Sequence, residues 1–164
     1  CRFDLNDEIC SCYFKFNVYE INCRKQTNER LSRPFKEILN KNLTYIININ
    51  NKNYQQIPDF TFSSIRIRKL DLSHNKIELL NPRTLGNITQ LEFLLLKSNK
   101  LNDKFSLNSF STSLVELDLS GNLIQKIHRY MFSGLISLQK LFLSNNFIEE
   151  IDLDAFGIEL SKLN

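Results

Sequence analysis

Four cysteines are the residues of this chain whose type and spacing could support chemistry, since thiolates bind metals and pair as disulfides. All four lie within the first 23 of 164 residues, at Cys1, Cys10, Cys12 and Cys23. A zinc site is disfavoured because no C-x2-C pair is present and His74 and His128 lie far away in sequence. Disulfides are therefore the preferred interpretation, and they indicate an oxidising compartment.

The spacing of the cysteines narrows their pairing without deciding it. A bond between Cys10 and Cys12 would close a strained ring across an extended pair of residues, so it is excluded. Two arrangements remain from spacing alone. One joins Cys1 to Cys12 and Cys10 to Cys23, and the other joins Cys1 to Cys10 and Cys12 to Cys23.

Motifs for catalysis, cofactor binding and nucleic-acid binding are not found. The chain has no glycine-rich phosphate loop, no metal-ligand cluster and no G-x-S-x-G nucleophile elbow. His74 lies near Asp71, and His128 lies among Lys126 and Arg129, but neither has a nucleophile pattern around it. We therefore predict that the protein is not an enzyme and that it requires no cofactor or metal and binds no nucleic acid.

The rest of the chain repeats itself. Four aligned segments, IRKLDLSHNKI, LEFLLLKSNKL, LVELDLSGNLI and LQKLFLSNNFI, begin at residues 67, 91, 114 and 138. They match the pattern L-x-x-L-x-L-x-x-N-x-L/I at a spacing within the period of about 20 to 29 residues that such repeats show. The same template finds a fifth, degenerate unit that begins at Thr44. Each unit is predicted to form one coil of a solenoid that buries its apolar side against its neighbours.

The repeat predicts which side chains point inward. Apolar residues alternate with polar residues around the strand of each unit, as pleating requires. In the third unit the inward set is Leu114, Leu117, Leu119, Ile124, Ile127, Phe132 and Leu135, and in the fourth it is Leu138, Leu141, Leu143, Ile148, Ile151 and Phe156. Asparagine amides at the turn after each strand are expected to form a ladder that satisfies buried backbone groups, at Asn75, Asn99, Asn122 and Asn146.

The second unit departs from the template on the side opposite the strands. Lys104 stands where an inward aliphatic residue is expected, and Phe105 and Phe110 each come one place late. We expect a local bulge there.

The cysteine arrangement C-x8-C-x-C-x10-C, the following EILNKNLTYIININNKN and the repeats together resemble extracellular leucine-rich repeat proteins with a cysteine-rich N-terminal cap, the group of Toll-like receptors, chaoptin-like and Slit-like proteins. The resemblance implies an α/β repeat solenoid, a leucine-rich repeat horseshoe with a parallel β-sheet on its concave face, a mostly irregular convex side and a disulfide-bonded cap. It assigns residues 1–43 to the cap and 44–164 to about five repeats starting at 44, 67, 91, 114 and 138. It favours the Cys1–Cys12 and Cys10–Cys23 pairing, and it places an apolar spine on the convex side at Leu85, Phe132 and Phe156.

The sequence also predicts where the protein is located and where it is glycosylated. No apolar run approaches the roughly 18 residues of a membrane span, so none is predicted within this segment. We expect an extracellular protein, secreted or on the cell surface, whose natural chain continues beyond Asn164 with further repeats. The sequons at Asn42 and Asn87 are candidate glycosylation sites.

Binding is predicted on the concave face, where outward strand positions of successive coils stand side by side. These positions include Tyr45, where the degenerate unit begins its strand, and Phe93, Leu95, Val115 and Phe142, which are apolar where the template requires no apolar residue. Exposed apolar and aromatic residues ringed by charge are typical of protein-binding sites. The surrounding charged residues of the predicted site are Lys69, Asp71, Glu116, Asp118 and Lys140.

The leading functional hypothesis is therefore a ligand-recognition ectodomain that binds a protein partner. The alternative is a structural or adhesive protein that associates with copies of itself or with matrix components along a flank. A third hypothesis, glycan binding, rests on six basic residues in the cap region, Arg24, Lys25, Arg30, Arg33, Lys36 and Lys41.

Overall fold

The computed structural model shows a parallel β-solenoid in which successive coils contribute strands to a common sheet. The structure describes residues 2–5, 8–23, 40, 42–51, 53–59, 61–62, 65–85, 88, 90–105, 107, 113–129 and 131–156. Within these ranges no helix combines the length and the apolar character that a membrane crossing needs.

The described residues form ten strands in two sheets. In chain order they are β1 (Arg2–Leu5), β2 (Glu8–Lys15), β3 (Val18–Cys23), β4 (Thr44–Asn48), β5 (Arg66–Asp71), β6 (Phe93–Leu95), β7 (Glu116–Asp118), β8 (Lys126–Ile127), β9 (Lys140–Phe142) and β10 (Glu150–Ile151). The large sheet has the order β1-β2-β3-β4-β5-β6-β7-β9, and β8 pairs with β10 in a parallel two-stranded sheet. Strands β1 to β3 are antiparallel, and every later pair in the large sheet is parallel, so the expected repeat fold is confirmed.

The core is built from the alternate residues of each strand. Ile47, Leu70, Leu94 and Leu117 are paired in register across β4 to β7, and each is at most 1% exposed. The inward residues predicted for the third coil are likewise all buried. Each coil thus covers the apolar side of the next, and this mutual burial supplies the main driving force for folding.

The asparagine ladder is present and has the same geometry in each coil. The Asn99 side chain donates to the carbonyl oxygens of Leu96 in its own coil and Leu72 in the preceding coil, both at 3.0 Å, and it accepts the backbone N–H of Ile77 at 3.0 Å. Asn75, Asn122 and Asn146 make the equivalent contacts. The amides therefore pair backbone groups that leave the sheet at the turn, where they would otherwise be buried without partners.

A left-handed residue precedes the ladder position in each coil. Its φ angle lies between 54° and 67° at Asn51, His74, Ser98, Gly121 and Asn145. Backbone N–H groups of this row still bond to the next coil, as from His74 to Lys97 at 2.8 Å and from Gly121 to Ser144 at 2.8 Å. The chain therefore bends out of the sheet at the same point in each coil without losing its lateral hydrogen bonds.

The convex spine is also observed. Phe62, Leu85 and Phe132 are buried, and the rings of Phe132 and Phe156 are stacked with their centroids 6.0 Å apart. The rings of Phe62, Phe132 and Phe156 fill the convex side of their coils, where the described residues form few strands.

The N-terminal cap is an antiparallel meander that extends the edge of the repeat sheet. Cys10 of β2 lies opposite Cys23 of β3, and the two form the expected disulfide. Cys12 is also disulfide-bonded, while Cys1, its expected partner, lies outside the described residues. The Cys10–Cys23 disulfide lowers the conformational entropy of the unfolded chain, and this stabilises a small folded cap of this kind.

Tyr45 contradicts its predicted outward position. The register shifts between Tyr45 and Ile46 relative to β5, so the Tyr45 ring turns into the core and is only 3% exposed. Its hydroxyl donates to the carbonyl of Asn40 at 3.2 Å and accepts the N–H of the same residue at 3.1 Å. Burial raises the pKa of the Tyr45 phenol, partly opposed by the hydrogen bond with Asn40 and reinforced by Tyr19.

The second coil bulges as expected. Lys104 is exposed, and Phe105 takes the core position with 2% exposure. The turn is closed by hydrogen bonds from the backbone of Phe105 and Lys104 to the carbonyl and side chain of Asn102, at 2.9 and 3.0 Å. Phe110 lies outside the described residues.

The bulge brings Asp103 to the edge of the β8–β10 sheet. Asp103 Oδ1 accepts the backbone N–H groups of Gln125 at 2.7 Å and Lys126 at 3.0 Å, in place of a neighbouring strand's carbonyls. Desolvation raises the pKa of this carboxyl, but the two backbone hydrogen bonds, with the charges of His128 and Lys126, outweigh it and hold the pKa below 3.8.

We predict that Asp103→Ala lowers the free energy of unfolding at neutral pH by about 1–2 kcal/mol, because two N–H groups lose a charged acceptor at a solvent-screened site. The folded-state pKa is depressed, so this contribution is present above the unfolded pKa and is lost as the pH falls through the folded value. Urea denaturation of both proteins at neutral pH and at acid pH should show the difference shrinking as the pH falls through the folded-state pKa of Asp103. A difference of the same size at both pH values would contradict the assignment.

The fourth coil is less buried than predicted. Leu138 is fully buried, but Leu141, Leu143 and Ile148 are half-buried and Ile151 is 56% exposed. The reason is that no further coil lies over them within the described part of the chain.

Candidate ligand-binding face

The side of the large sheet that faces away from the core carries two rows of side chains, which we call the open face. Because alternate residues of a strand point to opposite sides, the neighbours of the buried Leu70, Leu94 and Leu117 lie on it. The register aligns Ile46, Lys69, Phe93, Glu116 and Lys140 in the first row and Asn48, Asp71, Leu95, Asp118 and Phe142 in the second.

The predicted apolar residues come together on this face. Phe93 and Leu95 lie on β6 and are half-buried, and Phe142, on β9, is 44% exposed. Asp118 of β7 separates Leu95 from Phe142 in the second row. Val115 precedes β7 at the entry edge of the face and is half-buried, with its carbonyl accepting hydrogen bonds from Gln139 and Lys140. None of these four packs against the core cluster, so their apolar surface is directed outward.

Charges around the patch are mixed in sign. Arg68 and Glu92 form an ion pair at 2.9 Å at its entry edge, and Lys140 lies 3.6 Å from Glu116 within the first row. Exposed pairs of this kind add little stability. They do present both signs of charge next to apolar surface, as protein interfaces commonly do.

Two of the predicted charged residues also have structural roles. Asp71 and Asp118 each accept the backbone N–H two residues on, from Ser73 and Ser120, both at 2.9 Å. Asp71 additionally accepts a hydrogen bond from Asn50 at 2.9 Å. Such contacts fix the exit of the strand.

The open face continues onto the cap, which the sequence reasoning missed. Tyr13 pairs with Glu20, and Glu20 pairs with Ile46, so Tyr13 extends the first row and is 50% exposed. In the second row Asn48 donates to Asn22 at 2.7 Å and to Glu20 at 3.1 Å, forming a polar end opposite the apolar patch. The alternation of Cys10, Cys12 and their neighbours was the available signal for Tyr13, since cysteines directed to the core place the residue after Cys12 on the open face.

The remaining predicted sites lie away from this face. Asn42 is exposed in the turn before β4. Asn87 lies outside the described residues, as do the basic residues Arg24, Lys25, Arg30, Arg33, Lys36 and Lys41.

A second cluster of charged residues lies around the two-stranded sheet of β8 and β10. Lys126 Nζ contacts Asp152 at 2.8 Å and Glu150 at 2.7 Å, and these hydrogen bonds raise the pKa of Lys126. The pKa of Asp152 is lowered by Lys126 first and by the backbone N–H of Arg129 second. His128 lies 3.8 Å from Asp152. Within the described residues no group of histidine, cysteine and carboxylate side chains could hold a metal ion.

Comparison with known proteins gives consistent matches. The leucine rich repeat family matches residues 42–101 and 112–163. Tsukushi from Gallus gallus is 32% identical over 123 residues, which cover 72% of this chain and 32% of that protein. Toll-like receptor 9 from Mus musculus is 34% identical over 100 residues, which cover 58% of this chain and 10% of that protein.

Solved structures show the same likeness. The crystal structure of a TLR13–ssRNA13 complex matches with a TM-score of 0.67 and 29% identity, over 76% of this chain and 18% of that chain. The chain thus spans about a third or less of the length of these relatives.

Proposed function

The chain belongs to the leucine-rich repeat family, and from that premise we propose that it is the ligand-recognition part of an extracellular protein and binds a protein partner on its open face. In this proposal residues 1–43 form the cap and residues 44–164 the array that presents the binding surface. The protein acts as a rigid display of side chains and catalyses no reaction.

The observation that carries the proposal is the register of β6, β7 and β9. It brings Phe93, Leu95 and Phe142 to one side of a sheet whose other side is already filled by the core. Neighbouring strands lie about 4.8 Å apart, so the patch spans about 10 Å from β6 to β9. A rigid apolar patch of this kind, bordered by charges of both signs, fits a protein surface with a complementary apolar centre.

A nucleic-acid ligand is disfavoured by the charges of the same face. Although one similar solved structure is a complex with single-stranded RNA, Lys69 and Lys140 are matched here by Asp71, Glu116 and Asp118. Phosphate backbones are bound by surfaces with a clear excess of lysine and arginine. The absence of nucleic-acid binding stays a prediction.

We expect Phe93→Asp combined with Phe142→Asp to weaken partner binding by about 100-fold or more, because two apolar contacts are replaced by charges that must be desolvated. A panel of purified secreted and cell-surface proteins would first supply a partner, and surface plasmon resonance would then compare the variant with the unmodified chain. Both side chains are partly exposed, so the circular dichroism spectrum and thermal midpoint should stay close to those of the unmodified chain.

The matched control is Leu123→Asp combined with Phe147→Asp. These two residues are 44% and 60% exposed on neighbouring coils, directly after the ladder positions Asn122 and Asn146, and they lie outside the open face. The control should bind the partner normally. Equal affinity of the open-face variant and the unmodified chain for the partner would contradict the assignment of the binding site to the open face.

Leu123 and Phe147, which we call the flank pair, also favour one alternative function, association between copies of the chain. Leu123 and Phe147 are exposed apolar residues at corresponding positions of neighbouring coils. Lys100, at the same position of the preceding coil, contacts Glu78 at 3.5 Å. Sedimentation velocity at increasing concentration distinguishes the two functions. Self-association that is abolished by the flank variant and kept by the open-face variant would support the adhesive alternative.

A further inference from the structure

The hairpin between β2 and β3 carries exposed aromatic residues that its folding does not explain. Phe14 is 63% and Phe16 87% exposed, and the Phe16 ring contacts only the Lys15 ammonium among the ring contacts described, at 5.2 Å from the centroid. Phe16 and Asn17 form the turn with φ angles of 51° and 61°. Glycine or asparagine suits such a turn, whereas phenylalanine is strained in it and gains no burial in return. A bulky ring at this position therefore indicates a contact that the chain alone does not show.

A continuous series of contacts links this hairpin to the turn before β4. The Phe14 and Tyr19 rings lie 4.8 Å apart, and those of Tyr19 and Tyr45 lie 5.9 Å apart. The Tyr45 hydroxyl is bonded to the backbone of Asn40, whose side chain accepts the N–H of Asn42 at 2.9 Å. Because β3 and β4 are parallel and Tyr19 pairs with Tyr45, the turn before β3 and the turn before β4 lie at the same edge of the sheet.

That turn presents a sequon in a form suited to modification. Asn42 is exposed, and the turn is closed by the Leu43 N–H, which donates to the Asn40 carbonyl at 3.1 Å. Thr44, the third residue of the sequon, is half-buried at the start of β4. Glycosylation joins Asn42 Nδ2 to the anomeric carbon of a lipid-pyrophosphate-linked oligosaccharide. The bond from that carbon to the pyrophosphate oxygen breaks, the lipid pyrophosphate leaves, and the amide releases one proton.

We propose that Asn42 carries an N-linked glycan and that this glycan lies over the exposed rings of Phe14 and Phe16, beside the half-buried Tyr19. The proposal rests on the extracellular location included in the proposed function. One face of a sugar ring consists largely of C–H groups, which pack on aromatic rings while the hydroxyl groups remain in water. The glycan then covers the rings beside the turn and leaves Tyr13, which faces the other side of the hairpin, open for ligand binding.

The first measurement is the occupancy of the site. The full chain is secreted from cultured eukaryotic cells behind a standard signal peptide, and its intact mass is compared before and after enzymatic removal of N-glycans. Asn42→Gln and, independently, Thr44→Val should each remove the mass of one glycan, and the second variant keeps a strand-forming residue in β4 if the first folds poorly. Unmodified Asn42 in the secreted chain overturns the proposal.

The second measurement tests the cover over the rings. Asn42→Gln is expected to raise the fluorescence of a bound apolar dye about two-fold or more, because the rings lose their cover. Adding Phe16→Asn to the same chain should return the fluorescence to the level of the glycosylated chain without substitutions. Asparagine is chosen because it tolerates the left-handed turn. Asn87→Gln is the matched control for loss of a glycan elsewhere. An unchanged signal in Asn42→Gln, or an equal rise in Asn87→Gln, contradicts the proposed cover.

Other occupants of the rings give different results. Binding of the glycosylated chain to vesicles of phosphatidylcholine and phosphatidylserine, lost in Phe16→Asn, would overturn the glycan cover in favour of a membrane surface. Concentration-dependent dimers of the glycosylated chain, lost in the same variant, would overturn it in favour of a second copy. None of these variants alters Phe93 or Phe142, so failure here and failure of the proposed function are distinguishable.

Discussion

Asn122→Ala is expected to lower the free energy of unfolding by about 3–5 kcal/mol, as estimated from the cost of leaving several buried backbone groups unpaired. The Asn122 side chain is 2% exposed and donates to the carbonyls of Leu96 and Leu119, at 3.0 and 2.9 Å, while it accepts the N–H of Leu101 at 3.0 Å. Alanine supplies none of these groups. Urea denaturation followed by circular dichroism measures the change, since the chain has no tryptophan.

Asn146→Ala is the matched comparison. Asn146 makes equivalent bonds to Leu119, Leu143 and Ile124 but is half-buried, so water can replace part of what alanine removes. Asn146→Ala is therefore expected to lower the free energy of unfolding by only about 1–2 kcal/mol. If the two variants are equally destabilised, the burial of a ladder asparagine does not determine how much it contributes to stability.

Phe132→Ala is expected to cost about 3–5 kcal/mol, the range for removing a buried aromatic ring and leaving a cavity. Phe132 is 0% exposed, and its ring is stacked on Phe156 with an interplanar angle of 13°. The stacking joins the third coil to the fourth on the side that has few strand hydrogen bonds. The cavity should therefore destabilise both coils, which thermal or urea denaturation would report.

Phe147→Ala provides the control for Phe132, because the Phe147 ring is 60% exposed and its loss should change stability by no more than about 0.5 kcal/mol. Phe132→Leu should recover most of the loss, leaving a cost of about 1.5 kcal/mol. A Phe132→Ala variant as stable as Phe147→Ala would show that the spine contributes nothing.

Much of the array could be predicted because each coil repeats the same physical problem. Leu117 and Leu119 alternate with polar residues in a short strand, and Asn122 follows at the turn where backbone groups need partners. Even the irregular second coil followed from the displaced Phe105. The role of Asp103 did not, because a side chain that replaces a neighbouring strand leaves no periodic signal.

The cap and the first coil were harder to predict because they break the period. The register shift at Tyr45 turns that side chain inward, and a single unit without neighbours in the template cannot reveal such a shift. Tyr54 takes the place of the aliphatic Ile77 and is fully buried, with a hydroxyl that has no partner in the described part of the chain. The Phe16–Asn17 turn lacks the glycine that usually marks a hairpin.

The open face was predicted in its composition and only partly in its extent. Phe93, Leu95 and Phe142 stood out as apolar residues at positions that the fold leaves free. For Tyr13 the alternation around Cys10 and Cys12 indicated the side of the strand, but its place in the first row depends on an antiparallel pairing that the repeat template does not contain. Pairing between distant segments is the information that a single sequence carries least well.

The repeated left-handed bend has a consequence for how such a chain can change in length. From His74 to Gly121 the bend, the ladder amide and the lateral hydrogen bonds return together in successive coils. Inserting one residue within a strand would move the later side chains of that strand to its wrong side. Inserting one whole coil would preserve every contact between neighbours. The array can therefore grow or shrink by duplicating or deleting complete coils, and its binding surface then widens in steps of one strand.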